Sequence, residues 1–292
     1  MKSETVERAL AEIAEESPAA AEALCCASLL AEAPIPFEMA IAAEGAMHNP
    51  ALINPAAAMF AVAATLDPLC SRGLAEMDHT TGTFSVPPDV RTAVRATMSD
   101  DETLRWQTRA IHALSLAVPD ANPDTPVLEV LAPHVQVCLD LAREGFATPD
   151  VNRVLHQYGF SLHFAGRHHE AAELVDAALT VDLALKPEAH PDIVADLEGL
   201  GTILAAAEDH QNAVMTFRRC KDLLESEWTE DNQALIPVLA GLALSLRALG
   251  EHREAVKLAG RASKLFEKHF GNLPVEPEGR LAECLNLLGS GR

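Results

Sequence analysis

Four histidines lie close together in the C-terminal half of the chain, and histidine is the side chain here best suited to bind a metal. His156 and His163 are seven residues apart, which places them two turns apart on one face of a helix. Two histidines with an acidic residue can hold zinc. However, His168 and His169 follow Gly166 at the start of another helix, and no HxxxH, HExxH or cysteine partner accompanies the four. We therefore predict solvated or groove-lining histidines and no metal site.

Covalent and nucleotide chemistry lack their usual motifs. No nucleophile elbow or other catalytic signature is present. The phosphate-binding pattern GxxxxGK[ST] is absent as well. We therefore predict a protein that is not an enzyme, has no catalytic residues and uses no cofactor. Calorimetry should detect no micromolar binding of ATP.

A fixed period organises the chain from residue 150 to the end. Leucines recur every 42 residues, at Leu155, Leu197, Leu239 and Leu281. Further apolar residues follow each leucine at three and seven residues, the spacing of a helical stripe. A period of this length is typical of a solenoid built from helix pairs. We predict three full repeats and a terminal helix over residues 150–292; a single helical bundle with chance spacing is the alternative.

Small residues mark where the two helices of each repeat approach each other. The pattern places Gly159 opposite Ala171, Gly201 opposite Ala213, and Ala243 opposite Ala255. We therefore expect Gly201→Leu to destabilise the fold, and Gly201→Ala to be mild or favourable because alanine is the better helix former.

This pattern is that of the tetratricopeptide repeat. The long period, together with His190-Pro191-Asp192 before the second repeat, resembles the kinesin-light-chain type. In such repeats the first helix of each pair lines a concave groove. The resemblance implies that the groove is formed by Arg153, His156, Gln157, Phe160, His163 and Phe164 in the first repeat, Ala195, Glu198, Gly199, Thr202, Ala205 and Ala206 in the second, and Pro237, Ala240, Gly241, Leu244, Arg247 and Ala248 in the third.

The groove residues indicate the kind of partner. The family often has asparagines that clamp an extended peptide backbone, and this chain keeps only Gln157. Small residues dominate, with Phe160, Phe164 and Leu244 on the walls. Such a trough favours an apolar side chain or an amphipathic helix from a protein or peptide partner. Alternatively, the protein's own N-terminal helices or a second copy fill it.

The amino-acid composition limits the fold class of the protein and the kinds of partner it can bind. The chain has 292 residues, 49% of them hydrophobic and only 4% aromatic, which favours close-packed helices and about two domains. Its net charge of −21 disfavours nucleic acid and anionic membranes and favours a basic partner. Six cysteines without a CxxC motif indicate reduced, mostly buried thiols, and no signal peptide or membrane span is recognisable. We therefore predict a cytoplasmic protein.

The N-terminal residues predict a winged-helix-like module over 1–99. Helical patterns cover residues 4–15, 18–33, 37–43, 56–69 and 89–97, with a loop at 45–55. Alternating patterns at 74–77 and 83–86 indicate a small β-hairpin whose turn is residues 78–82. Connecting helices are predicted at 101–117 and 125–144, within a segment 100–149. The complete fold prediction is all-α: this module, the connecting helices and the repeat solenoid.

The stretch LLAEAPIPF at residues 29–37 resembles the winged helix of bacterial NB-ARC (STAND) signalling proteins. So does the stretch beginning GLAEMDHTTGTF at residue 73. Leu131-Ala132-Pro133-His134 is similar to the helices that precede their repeats. Two features depart from that family: the nucleotide-binding motif is absent, and Pro87 or Pro88 stands where the family places a nucleotide-contacting histidine. The resemblance implies a sensor or scaffold part of a signalling system.

Two other classes of function are the alternatives to a sensor or scaffold. A winged helix can bind DNA, but residues 18–98 contain three basic residues (Arg72, Arg91 and Arg95) against eight acidic ones. DNA binding requires neutralised phosphates, so this charge balance disfavours a DNA-binding regulator. The third class is a structural module that self-associates into a homo-oligomer.

Overall fold

The computed structural model describes residues 3–42, 55–120, 125–271 and 277–289, and within them the chain is mostly helical. Contacts divide the chain into two compact units, Met1–Ser161 and Leu162–Arg292. No described helix is both long and apolar enough to cross a membrane. The predicted loop at 45–55 lies outside the described residues except for Pro55.

The first unit begins with helices and a small sheet. Its helices are α1 (Ser3–Glu16), α2 (Pro18–Leu29), α3 (Phe37–Ala42), α4 (Pro55–Cys70), α5 (Pro88–Thr97), α6 (Asp100–Ala117), α7 (Thr125–Arg143) and α8 (Pro149–Phe164), the last of which contains the boundary between the units. Local signals explain several of the ends. Ser17 accepts a hydrogen bond from the Ala20 amide with Pro18 in the first turn, and Ser99 forms a capping box with Glu102.

The sheet has three strands, where the sequence predicted two. Strands β2 (Glu76–Asp78) and β3 (Thr83–Ser85) form the predicted hairpin, with Met77 opposite Phe84. Strand β1 (Ile35–Pro36) pairs with the other side of β3, with Ile35 opposite Phe84. Proline is tolerated here because β1 is an edge strand, where a missing amide donor need not break a ladder. Residues 35–36, which lie between the predicted helices at 18–33 and 37–43, therefore form a strand that the sequence analysis did not predict.

A buried arginine joins α2 to α5. Arg91 is 1% exposed, and its guanidinium donates to the carbonyl oxygens of Ala27, Leu30 and Ala31 at the C-terminal end of α2. The neighbouring Arg95 donates from Nε to the Ser28 carbonyl at 2.6 Å. Helix ends leave carbonyls without intrahelical partners, and α2 has no basic residue in its own last turn. Burial lowers the pKa of Arg91 to about 10, so the side chain is still charged at neutral pH.

The second unit continues the repeat in sequence order. After the end of α8 it contains α9 (His168–Leu185), α10 (Pro191–Ala206), α11 (His210–Glu227), α12 (Leu235–Ala248), α13 (His252–Phe270) and α14 (Gly279–Gly289). Each helix from α9 to α13 packs against the next, and α14 packs against α12 and α13. The periodic leucines at the centre of α10 and α12, Leu197 and Leu239, are buried. This sequential packing is the predicted solenoid.

The turns inside the helix pairs use a left-handed residue. Gly166 and Gly250 adopt φ of 81° and 84°, as the sequence predicted for helix-ending glycines. Glu208 occupies the equivalent position between α10 and α11 and has a φ of 63°. Left-handed backbone is costly for a residue with a Cβ atom, so this turn is strained where the other two are relaxed.

Phe217 of α11 fills the space next to the glycines of α10 and α12. Its ring is fully buried. A Cβ atom added at Gly201 would lie 2.7, 2.8 and 2.9 Å from three ring carbons, and one added at Gly241 would meet the same ring. The nearest neighbour of Gly201 is thus Phe217 and not Ala213. The contacts reverse the expectation for Gly201→Ala, from mild or favourable to destabilising, because even a methyl group overlaps a ring packed between helices.

Candidate partner-binding groove

In the first unit, the predicted groove residues lie along α8. Arg153 donates from Nε to the Ser115 carbonyl at 3.1 Å and from Nη2 to Asp120 at 2.8 Å. It therefore joins α8 to the C-terminal end of α6, a role that the sequence did not predict. The rings of His156 and Phe160 pack together with centroids 4.7 Å apart, and both are half-buried. Gln157 is half-buried too, and its carbonyl accepts the Ser161 hydroxyl at 3.0 Å.

At the start of the second unit, His163 and Phe164 end α8. The Nδ1 atoms of His163 and His168 are 3.1 Å apart, close enough that one must donate a hydrogen bond to the other. Burial, His168 and Arg280 together lower the pKa of His163, which favours the neutral ring. Phe164 is 64% exposed. Among the described residues no three His, Cys, Asp or Glu side chains are grouped so as to hold a metal ion.

In the second unit, an arginine of α14 is held by two predicted groove residues of α10. Arg280 of α14 donates from Nη2 to the Glu198 carboxylate and, at 2.5 Å, from Nη1 to the Thr202 hydroxyl. Thr202 in turn donates to the Glu198 carbonyl at 2.7 Å, one turn back in α10. The Arg280 guanidinium carbon lies 6.0 Å from the centroid of the Phe217 ring. Glu198 and Thr202 were predicted groove residues, whereas Arg280 was missed.

An apolar cleft opens beside Glu198. Its volume is about 400 Å³, and it lies between α10, the C-terminal end of α11 and the N-terminal end of α12. Leu224, Trp228 and Pro237 form walls, with Ala195 and Glu198 on the α10 side. Trp228 is 38% exposed. Three of the residues placed in the groove by the repeat register (Ala195, Glu198 and Pro237) therefore line one cleft, and Trp228 adds an aromatic wall that the register did not identify.

Of the small residues predicted to line the groove, Gly199, Ala240 and Gly241 are buried, and none of them lines the cleft. Ala205, Ala206 and Ala248 do not line it either.

Two other predicted residues lie further along α12. Leu244 is half-buried and Arg247 is exposed, and neither lines the cleft. Arg247 is close enough to the buried Cys284 of α14 to oppose the effect of burial on its thiol, whose pKa is raised to about 11.

Residues 150–226 match the family model of the tetratricopeptide repeat. These residues contain tetratricopeptide repeats. Repeats of this type are typically non-catalytic scaffolds for protein interaction, and no catalytic family is indicated. No curated protein matches the chain. The repeat region thus supports protein binding as a class of function. The chemistry of the partner has to be inferred from the residues of the site itself.

Several solved structures are similar to the chain. A kinesin light chain from Podosopora anserina with nearly identical TPR-like repeats is 13% identical, with a TM-score of 0.44, covering 76% of this chain and 99% of that one. BtubC (BKLC) from P. vanneervenii is 15% identical, with a TM-score of 0.42, covering 83% and 92%. A STAND protein with a tetratricopeptide repeat sensor from Pyrococcus horikoshii is 15% identical, with a TM-score of 0.33, covering 92% of this chain and 44% of that one.

Proposed function

We propose that this protein is a non-enzymatic sensor or scaffold that binds a protein or peptide partner within a STAND-like signalling system. The N-terminal module is winged-helix-like in this proposal, and the repeat groove holds the partner. The observation that carries the proposal is the apolar cleft between α10 and α12, which opens at repeat positions expected to face a partner. The signalling context is supported by the sequence resemblance of residues 29–37 and of the stretch from residue 73.

The cleft has the properties of an anchor site for one large apolar side chain. Its walls are leucine, tryptophan, proline and valine, with one carboxylate at its edge. Concave apolar sites with few polar groups bind ligands well, and buried aromatic contacts often dominate the energy of an interface. Burying one Leu or Phe side chain of a partner contributes about 1.5–3 kcal/mol. The first-repeat residues Arg153, His156, Gln157 and Phe160, together with His163 and Phe164, remain proposed contacts.

The DNA-binding alternative has little support in the first unit. Each of the three basic residues between positions 18 and 98 has an intramolecular partner. Arg72 forms an ion pair with Glu16, Arg91 is buried against α2, and Arg95 donates to Ser28. Phosphate binding would require these contacts to be broken, which is costly for the buried Arg91.

The proposal is tested by filling the cleft. Ala195 is exposed on the wall of the cleft, so Ala195→Phe should occupy the cleft without disturbing the core. Val256→Phe is the matched control, because Val256 is 41% exposed on α13 and does not line the cleft. Peptides selected from a random phage-displayed library on the wild-type protein would be measured against all three proteins by fluorescence anisotropy.

We expect Ala195→Phe to weaken the selected peptides by roughly tenfold or more, because loss of one buried apolar side chain removes at least about 1.4 kcal/mol. Val256→Phe should leave them unchanged, and circular dichroism should be the same for all three proteins. The cleft is not the binding site if no peptide is selected, or if the peptides bind Ala195→Phe as well as wild type.

A further inference from the structure

The second unit already contains a bound guanidinium, that of its own Arg280. Nη2 is held by the Glu198 carboxylate and Nη1 by the Thr202 hydroxyl, so the two terminal nitrogens have separate acceptors. The centroid of the Phe217 ring lies 6.0 Å from the guanidinium carbon, but the ring is fully buried, so it is a neighbour and not a surface for stacking. A planar fork that donates along two directions is what distinguishes arginine from lysine. The site therefore has the chemistry of an arginine receptor.

This contact is open to exchange with an outside group. The side chains of Arg280 and Glu198 are 34% and 28% exposed, so the pair lies at the surface and not in the core. Helix α14 is anchored by other residues, since Cys284 and Leu287 are buried while Arg280 lies in its first turn. Arg280 can consequently leave Glu198 by a side-chain rotation, with α14 still in place.

Glu198 belongs to two sites at once. It receives Arg280, and it also lines the apolar cleft. A partner side chain in the cleft would thus lie beside the carboxylate that now binds Arg280. The net charge of −21 further favours a basic partner at this position.

We propose that the groove recognises a protein segment that presents an arginine next to a large apolar residue, and that Arg280 is an autoinhibitory occupant of the arginine site. The apolar residue enters the cleft and the partner's arginine replaces Arg280 on Glu198 and Thr202. This inference rests on the proposed function and specifies the partner's chemistry. Because only the fraction of molecules with Arg280 released can bind, the apparent affinity is lowered by that fraction.

The arginine site can be tested without any partner. The probes are N-acetyl-arginine amide and its neutral analogue N-acetyl-citrulline amide, titrated while NMR follows the Thr202 methyl and Phe217 ring signals. The proteins are wild type, Arg280→Gln and Arg280→Gln with Glu198→Gln. Arg261→Gln is the control, because Arg261 pairs with Glu225 in the same unit but does not contact Glu198.

We expect Arg280→Gln to bind the arginine probe roughly tenfold more tightly than wild type, since an internal competitor has been removed. The added Glu198→Gln change should abolish this gain. The citrulline probe should gain nothing, and Arg261→Gln should behave as wild type. Equal affinity of wild type and Arg280→Gln for the arginine probe, or equal gains for arginine and citrulline, would overturn the proposal.

The selected peptides separate this inference from the proposed function. Peptides that need the cleft and contain a required arginine support both. If Ala195→Phe prevents binding of the peptides, but they bind equally well with arginine or with citrulline, the proposed function stands and the arginine site is refuted. Peptides indifferent to Ala195→Phe refute the cleft, whereas the probe titration of Arg280→Gln still decides the arginine site, because neither probe requires the cleft.

Discussion

Gly241→Ala should destabilise the second unit, although alanine is the better helix former. An added Cβ atom would lie 2.8 and 2.9 Å from the two Cε atoms of Phe217, and closer still to Cζ. Carbon atoms in ordinary contact are about 3.5–4.0 Å apart. The Phe217 ring is fully buried and also touches Gly201, so it has little room to move away.

The magnitude follows from two opposing terms. Overpacking a well-filled core costs about 1–3 kcal/mol. Replacing glycine by alanine inside a helix returns about 1 kcal/mol. Because the overlap involves several ring atoms, we expect the upper part of the range, and a net loss of about 1–2 kcal/mol. Gly201→Ala should behave in the same way.

Gly260→Ala is the matched control. Gly260 also lies inside a helix, α13, but a Cβ atom there would meet only the Leu288 Cδ2 atom, at 3.9 Å. This is an ordinary contact, so only the propensity term acts. We expect Gly260→Ala to stabilise the unit by about 1 kcal/mol, opposite in sign to Gly241→Ala.

The assay is urea unfolding followed by Trp228 fluorescence in a Trp106→Phe background, which reports on the second unit alone. The cause is tested by adding Phe217→Leu, which shortens the ring side chain. A double-mutant cycle should give a coupling of about 1–2 kcal/mol between Gly241→Ala and Phe217→Leu. The reasoning is refuted if Gly241→Ala stabilises as Gly260→Ala does, or if the coupling is zero.

Four further outcomes are expected. Glu208→Gly should raise the stability of the second unit by about 0.5–1 kcal/mol in urea melts, because it relieves a left-handed residue, whereas Glu208→Ala should give no such gain. Burial lowers the pKa of His134, whose Nε2 forms a hydrogen bond with the Pro34 carbonyl. As the pH falls, this histidine is therefore protonated more readily in the unfolded chain than in the folded one. The first unit should therefore lose stability as the pH falls below about 6.5, and His134→Gln should lose less between pH 7.5 and 5.5; equal losses would contradict this. Ellman's reagent should react first with Cys70, the one half-buried cysteine among six, although burial raises the pKa of its thiol as well, and Cys70→Ser should remove that first phase. Random duplex DNA at low salt should show no mobility shift with the protein; a shift would favour the DNA-binding alternative.

The repeat and its helix ends were predictable because their signals are local. Apolar spacing fixes which face of a helix is buried, and Gly166 and Gly250 stand at turns that require a left-handed backbone. The hairpin was also predicted, from its turn residues. Strand β1 was missed because residues 35–36 form it only by pairing with residues nearly fifty positions away.

The candidate site was predicted only in part, for the same physical reason. The register identified Glu198 and Ala195 on one helix face, yet the partner of Glu198 comes from 82 residues further along. A signal was nevertheless present. Arg280 stands one residue before Leu281, and the equivalent positions hold Val154, Asp196 and Val238, all buried. Because one of these three is itself charged, the charge of Arg280 was only a partial signal of a specific partner.

The contact between Arg91 and α2 has a consequence for synthesis of the chain. The carbonyls that it caps lie 60–64 residues earlier, so α2 leaves the ribosome with its last turn incomplete. Chains grow at about 5–20 residues per second, so the wait for Arg91 lasts several seconds at least. Until then α2, whose residues are mostly apolar, is exposed without α5 to pack against. Any break in translation between the two stretches would prolong that exposure.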